Sequence, residues 1–269
     1  MIDELFFKAG LARRKLNFIL FGFIVVIVGF FTSLILFKAD SLATLLVITM
    51  LLMPVLMRLF RKEEVIVRKK KLKHIFKNHK FVFETYFFLF LGIFFAFLIL
   101  ELTTIYNQEF FSRAFEFQTT WVIDNQESLG IVDTGISGVI ISAIINDLIL
   151  MIISFLLSFF YGSGGIFLIV AVASILSTIL IHLLRFFESF FGFTMFLLST
   201  FFIYVLPLIF VFIMTSTAGG ILSKAVISEK ISGKNFSNVL RDAVRLFIYA
   251  IVLLLIINAL KFFLALLFL

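Results

Sequence analysis

The sequence predicts an all-α fold, a polytopic transmembrane helical bundle of about seven spans, with six to eight as the limits. Three observations predict it. Hydrophobic residues make up 62% of the 269 and charged residues only 14%. A soluble domain carries roughly 45–50% apolar and about 25% charged residues, so a water-facing surface cannot be assembled from what remains. The apolar residues gather into runs close to the ~20 residues that an α-helix needs to cross ~30 Å of hydrocarbon. Lys and Arg concentrate in those connections that a seven-span chain places on one side, as orientation in a bilayer requires.

Residues 1–17 carry Ile2, Leu5, Phe6 and Leu11 at helical spacing beside Lys8, Arg13 and Arg14, an expected N-terminal interfacial amphipathic helix. Asp3 and Glu4 near its start suit the helix dipole. The first apolar run, residues 18–37, follows basic residues as a secretory signal would. It is too long for a signal core and no A-x-A site follows, so it reads as an uncleaved anchor. A shorter run occupies residues 42–57. Lys38, Ala39, Asp40 and Ser41 join the two in a tight turn, making residues 18–57 a transmembrane hairpin.

Residues 58–80 form a basic linker with ten Lys or Arg against two Glu. Residues 81–269 make up the main bundle. Its spans are expected at 81–100, 139–161, 166–184, 200–222 and 246–269. Residues 189–199 are apolar but too short to cross, which leaves a re-entrant or interfacial piece, or an extension of a neighbour. Residues 101–138 form an acidic external loop with six acids and one Arg. Its Tyr106, Phe110, Phe111, Phe115, Phe117 and Trp121 suit an interfacial amphipathic helix or a docking surface.

The N-terminus, residues 58–80 and residues 222–245 hold 19 of the 23 Lys and Arg, and seven spans place all three on one side. That side is cytoplasmic by the positive-inside rule. The expected location is therefore the cell membrane, multi-pass, with the N-terminus cytoplasmic and the C-terminus external. Arg68, Lys69, Lys70 and Lys71 are the densest basic stretch and read as a contact for anionic lipid or for a partner. Nucleic acid is not an expected partner, because no aromatic platform or groove-reading element accompanies the charge.

Chemistry is sparse. With Cys at 0, disulfides, thiolate zinc sites and thiol catalysis are excluded. H-E-x-x-H, G-x-S-x-G and P-loop motifs are absent. Of the 3 His, His74 and His79 lie in the basic linker and His182 stands alone, so no metal-ligand set is visible. No catalytic residue, cofactor or metal is expected.

Polar residues inside the spans are more informative, since intramembrane charge costs ~2.5–3.5 kcal/mol on insertion scales and faces the protein interior. Asp147, beside Asn146, lies in the fourth span, and Lys261 lies at matching depth in the seventh with Asn258 one turn away. This predicts an interhelical pair or a polar path. Gly162-Ser163-Gly164-Gly165 reads as a tight turn between spans four and five. Pro207 and the stretch Thr215 to Gly220, including Gly219, mark close approach or a break in the sixth helix.

Four stretches in order carry a family resemblance. They are the hairpin at 18–57 followed by Leu59-Phe60-Arg61-Lys62-Glu63-Glu64, and Ser158-Phe159-Phe160-Tyr161-Gly162-Ser163-Gly164-Gly165-Ile166-Phe167. After them come Pro207 with Ala218-Gly219-Gly220-Ile221-Leu222-Ser223, and Leu240-Arg241-Asp242-Ala243 leading into the last run. Together they resemble the archaeal branch of the stage II sporulation protein M family, over nearly the whole chain. The chain departs from that family beside Pro207, where Tyr204, Leu206 and Leu208 replace a common His or Glu, and at Lys261, where relatives often carry Glu.

The resemblance implies a non-enzymatic integral membrane protein, a scaffold or a partner-binding subunit of a larger complex. The basic charge points to anionic headgroups as one partner, and the further expected partners are other membrane or cell-envelope proteins or further copies of the chain. The alternative is a small-solute or ion transporter or channel, its path lined by polar residues of spans four and six.

Overall fold

The computed structural model describes residues 11–38, 40–69, 80–106, 112–124, 136–161, 165–184, 206–228 and 234–267. Every regular element among them is helical: α1 (Leu11–Phe37), α2 (Ser41–Lys69), α3 (Lys80–Tyr106), a 3-10 turn (Ser112–Phe115) leading into α4 (Glu116–Asp124), α5 (Ile136–Tyr161), α6 (Gly165–Leu184), α7 (Leu206–Ser228) and α8 (Lys234–Leu267). Among the described residues, five stretches are long and apolar enough to cross a membrane: Lys15–Phe37, Lys80–Thr103, Gly165–His182, Leu206–Ser223 and Phe236–Leu260. Ser41–Leu56 and Ile144–Phe160 are apolar helices of shorter length.

The helices run past the apolar segments that seed them. α1 begins at Leu11, so residues 11–17 continue the first span without a break. Nothing between Leu11 and Phe18 stops a helix, and Arg13, Arg14 and Lys15 favour one. Residues 1–10 of the expected surface helix lie outside the described residues. α2 likewise continues to Lys69, so half of the expected linker is helical, in a stretch with neither Gly nor Pro after Pro54. α8 starts at Lys234 rather than at 246, and α7 runs on to Ser228. Residues 162–164 and 189–199 lie outside the described residues.

The chain divides into two compact units, Met1–Val122 with Ile166–Phe186, and Ile123–Gly165 with Phe187–Leu269. In the first, α1 and α2 form a hairpin whose turn is chemically explicit. Lys38 takes a left-handed conformation with φ of 52°, and Asp40 N–H donates back to Phe37 O at 3.1 Å. Asp40 then caps α2, its Oδ1 accepting from Ala43 N–H at 2.8 Å. Inside the hairpin, the buried hydroxyls of Ser33 and Thr44 bond each other at 2.7 Å.

α3 packs on α1 through a glycine contact from each side. A Cβ on Gly22 would lie 2.7 Å from Leu89 O, and one on Gly92 would overlap the Ile19 carbonyl. Large side chains then close the core around this seam, with Phe18, Val26, Phe30, Leu89, Phe90, Ile93 and Phe97 all buried. Near the starts of α1 and α3, Glu84 Oε1 lies 3.9 Å from Lys15 Nζ and 3.8 Å from Lys80 Nζ. Lys15 also sits 5.2 Å from the centre of the Phe88 ring.

The described part of the acidic segment from Ser112 to Val122 packs into this unit. Phe115 packs 6.4 Å from the rings of both Phe30 and Phe97, and Ala114, Gln118 and Val122 are buried with it. Phe117 N–H donates to Ser41 Oγ at 3.2 Å, tying α4 to the start of α2.

In the second unit α7 packs against both α5 and α8, and α5 also meets α8. Phe155 of α5 lies edge-on to Phe247 of α8 at 5.0 Å. The backbones of α5 and α7 touch at Gly219, where a Cβ would lie 2.5 Å from Phe155 O and 3.0 Å from Phe159 N.

Candidate functional site

The buried polar side chains of each unit are the only places where these apolar helices carry chemistry among the described residues. Three His, Asp or Glu side chains never converge there as a metal site would need.

In the second unit, the α5–α7 seam is lined with hydroxyls. Ser158 Oγ donates to Ser216 Oγ at 2.9 Å, and Ser154 Oγ and Thr215 Oγ1 lie 3.3 Å apart. All four residues are buried. Thr215 also bonds within its own helix, its Oγ1 lying 3.0 Å from Val211 O and from Phe212 O. Gly165 closes the row, since a Cβ there would overlap Ser216 Oγ and lie 2.6 Å from Ser158 Oγ. α7 is continuous through Gly219 and Gly220, and Pro207 is its second described residue. A proline there costs no hydrogen bond if the helix starts with it.

The predicted polar pair lies in the same unit. Asp147 is 5% exposed and Asn258 2%. Asn258 Nδ2 donates to Asp147 Oδ2 at 3.4 Å, a long bond, and to Leu254 O at 3.0 Å. Asn258 Oδ1 has no partner. Asn146 is half-buried beside Asp147. Lys261 belongs to α8 one turn beyond Asn258, and its side chain lies outside the described set. The structure therefore brings Asp147 and Asn258 together. Of the basic stretch, Arg68 and Lys69 end α2, whereas Lys70 and Lys71 lie outside the described residues, as do Gly162 and Gly164.

A second cluster, in the first unit, was not singled out from the sequence. Glu101 in the last turns of α3 is 4% exposed, and Ser177 of α6 donates to its Oε2 at 3.1 Å. One turn back, Ser174 Oγ accepts from Gln118 Nε2 of α4 at 3.3 Å and donates to Ala171 O at 2.9 Å. Thr178 Oγ1 donates to Ser174 O at 3.2 Å. Gln118 is 1% exposed, and its Oε1 accepts nothing. A buried acceptor left without a donor costs about 1–3 kcal/mol. The signal was present in the repeat Ser174, Ser177, Thr178, which puts three hydroxyls on one face of an otherwise apolar helix.

No family model, curated protein or solved structure matches this chain.

Proposed function

We propose that the chain is a non-enzymatic, multi-pass membrane protein that acts as a scaffold or partner-binding subunit of a larger complex. The observation that carries this reading is the α5–α7 seam. Its Ser154, Ser158, Thr215 and Ser216 hydroxyls bond across to one another or to their own helices, and Gly219 brings the two backbones into contact. Polar residues spent in this way hold helices together. The resemblance to stage II sporulation protein M, a membrane subunit of a complex that recruits cell-wall hydrolases, points the same way. In this reading the basic face is cytoplasmic, and Arg68, Lys69, Lys70 and Lys71 meet anionic headgroups. The N-terminus is then inside, the C-terminus outside, and the partners are other membrane or envelope proteins or further copies of the chain.

A transporter or channel is the second reading. It is favoured by Asp147 and Asn258, a buried carboxylate beside an amide oxygen without a donor. One experiment separates the two, helped by the native Cys count of 0. Single cysteines at Asp147 and Ser216 are exposed to a membrane-impermeant thiol reagent from each side, with a cysteine in the 125–135 segment as the labelled control. Protection from both sides supports the scaffold, and labelling at Ser216 replaces it with the transporter.

A further inference from the structure

We infer that Lys15 and Lys80 form a headgroup site for an anionic phospholipid whose acyl chain lies along the exposed edge of α1. The two ammonium groups face one and the same atom, Glu84 Oε1, at 3.9 Å and 3.8 Å. They therefore converge, although neither distance is a hydrogen bond. Among the described residues, one carboxylate here faces two ammonium groups, which leaves one net positive charge. The Lys15 and Lys80 side chains are 42% and 72% exposed, so their donors stay open to a further acceptor. Lys15 also lies 5.2 Å from the centre of the Phe88 ring, a contact that keeps its ammonium group beside α3.

The position of the pair identifies its partner. The apolar stretches Lys15–Phe37 and Lys80–Thr103 both begin at these lysines, so the two charges mark one membrane boundary. Leu16, Leu20, Ile24 and Val28 follow Lys15 and are all exposed. Their four-residue spacing puts them on one edge of α1, an apolar path that starts beside the ammonium groups. A phosphodiester brings one negative charge and two free oxygens, enough to neutralise the cluster and meet both lysines. A zwitterionic lipid brings its own cation to the same place and neutralises nothing. The pair deepens the reading that anionic headgroups meet the basic face, and it rests on the membrane reading rather than on the scaffold.

The experiment uses the full chain in vesicles of mixed phosphatidylglycerol and phosphatidylcholine. With a native Cys count of 0, Leu20→Cys carries a single fluorophore on the exposed edge of α1. Its quenching is compared for phosphatidylglycerol and phosphatidylcholine that bear the same acyl-chain spin label. One net positive charge is expected to favour the anionic lipid about fivefold at this position. Lys15→Gln and Lys80→Gln each leave the cluster neutral and should remove the preference, whereas Lys15→Arg should keep it. Arg68→Gln should leave it unchanged, and a fluorophore on Ile35→Cys, at the other end of α1, should show none. Equal quenching by the two lipids overturns the proposal, as does a preference that survives the double change of Lys15 and Lys80 to Gln. A fall of the same size in Arg68→Gln assigns the preference to the diffuse field of the basic face and overturns the pair. Loss of the preference in inorganic phosphate, against chloride at equal ionic strength, makes the pair a site for the free anion and overturns the lipid as its occupant. Quenching by neither lipid means that α1 does not face acyl chains, so the membrane reading falls together with the proposal. Equal quenching leaves that reading standing.

Discussion

Asn258 reaches from α8 to place its amide nitrogen 3.4 Å from the Asp147 carboxylate of α5, and keeps a shorter bond to its own helix at Leu254 O. The longer of the two bonds is the interhelical one. Asn258→Leu is therefore expected to cost only about 0.5–1.5 kcal/mol, within the range of interhelical polar contacts in membrane bundles. Asp147→Asn and Lys261→Gln should each lower the thermal midpoint. If Lys261 shares the carboxylate, the double substitution costs less than the sum of the two singles. Additive losses in that cycle would remove Lys261 from the pair.

Glycine contacts should rank by what their missing Cβ would strike. Gly92→Ala drives a methyl into the Ile19 backbone carbonyl, which can move only with α1. Gly29→Ala meets first the Cγ1 of Ile48, a side-chain atom, with no backbone atom nearer than 3.3 Å. Overpacking costs typically 1–3 kcal/mol, so Gly92→Ala is expected near the top of that range and Gly29→Ala near the bottom. Equal effects on Tm would contradict this picture of the two seams.

Removing the cap at Asp40 should loosen the hairpin turn. Asp40→Ala loses the bond to Ala43 N–H and is expected to cost about 1 kcal/mol, whereas Asp40→Asn should keep most of the stability. Thermal unfolding of both variants reads the difference directly.

The ion pairs at Glu84 should matter much less. Lys80 is largely exposed and both nitrogen–oxygen distances approach 4 Å, so Lys80→Gln is expected to cost less than about 0.5 kcal/mol. A loss above 1 kcal/mol would mean that Glu84 is held more tightly than this geometry allows.

The helical class and the apolar segments are legible because a run of about twenty apolar residues has few other fates. Asp147 and Asn258 are legible for the same reason, as isolated polar letters in such runs. Glu101 is not, since it stands where an apolar run gives way to an acidic stretch and looks like the first residue of the loop. It accepts a hydrogen bond from Ser177, 76 residues away, and no local pattern contains that contact. Gly22 and Gly92 escape notice likewise, because a lone Gly in a Phe-rich helix reads as neutral until its neighbour is known. Helices run past the apolar spans wherever hydropathy falls while helix-forming residues continue, as at Arg58 to Lys69 and ahead of Leu246.

The hydroxyls that bond Glu101 and Gln118 also arrive late. Both residues belong to a unit that is completed only by α6, and α5 is synthesised in between. At about 5–20 residues per second, the 76 residues from Glu101 to Ser177 take roughly 4–15 s to emerge from a ribosome. For that interval the nascent chain holds a carboxylate and an amide without the hydroxyls that will receive them. α4 has no α6 to settle against, and α5 has been made before the unit it interrupts is closed. Maturation of this protein is therefore set by chain order as well as by packing, and a pause in translation between residues 124 and 165 would prolong its most exposed intermediate.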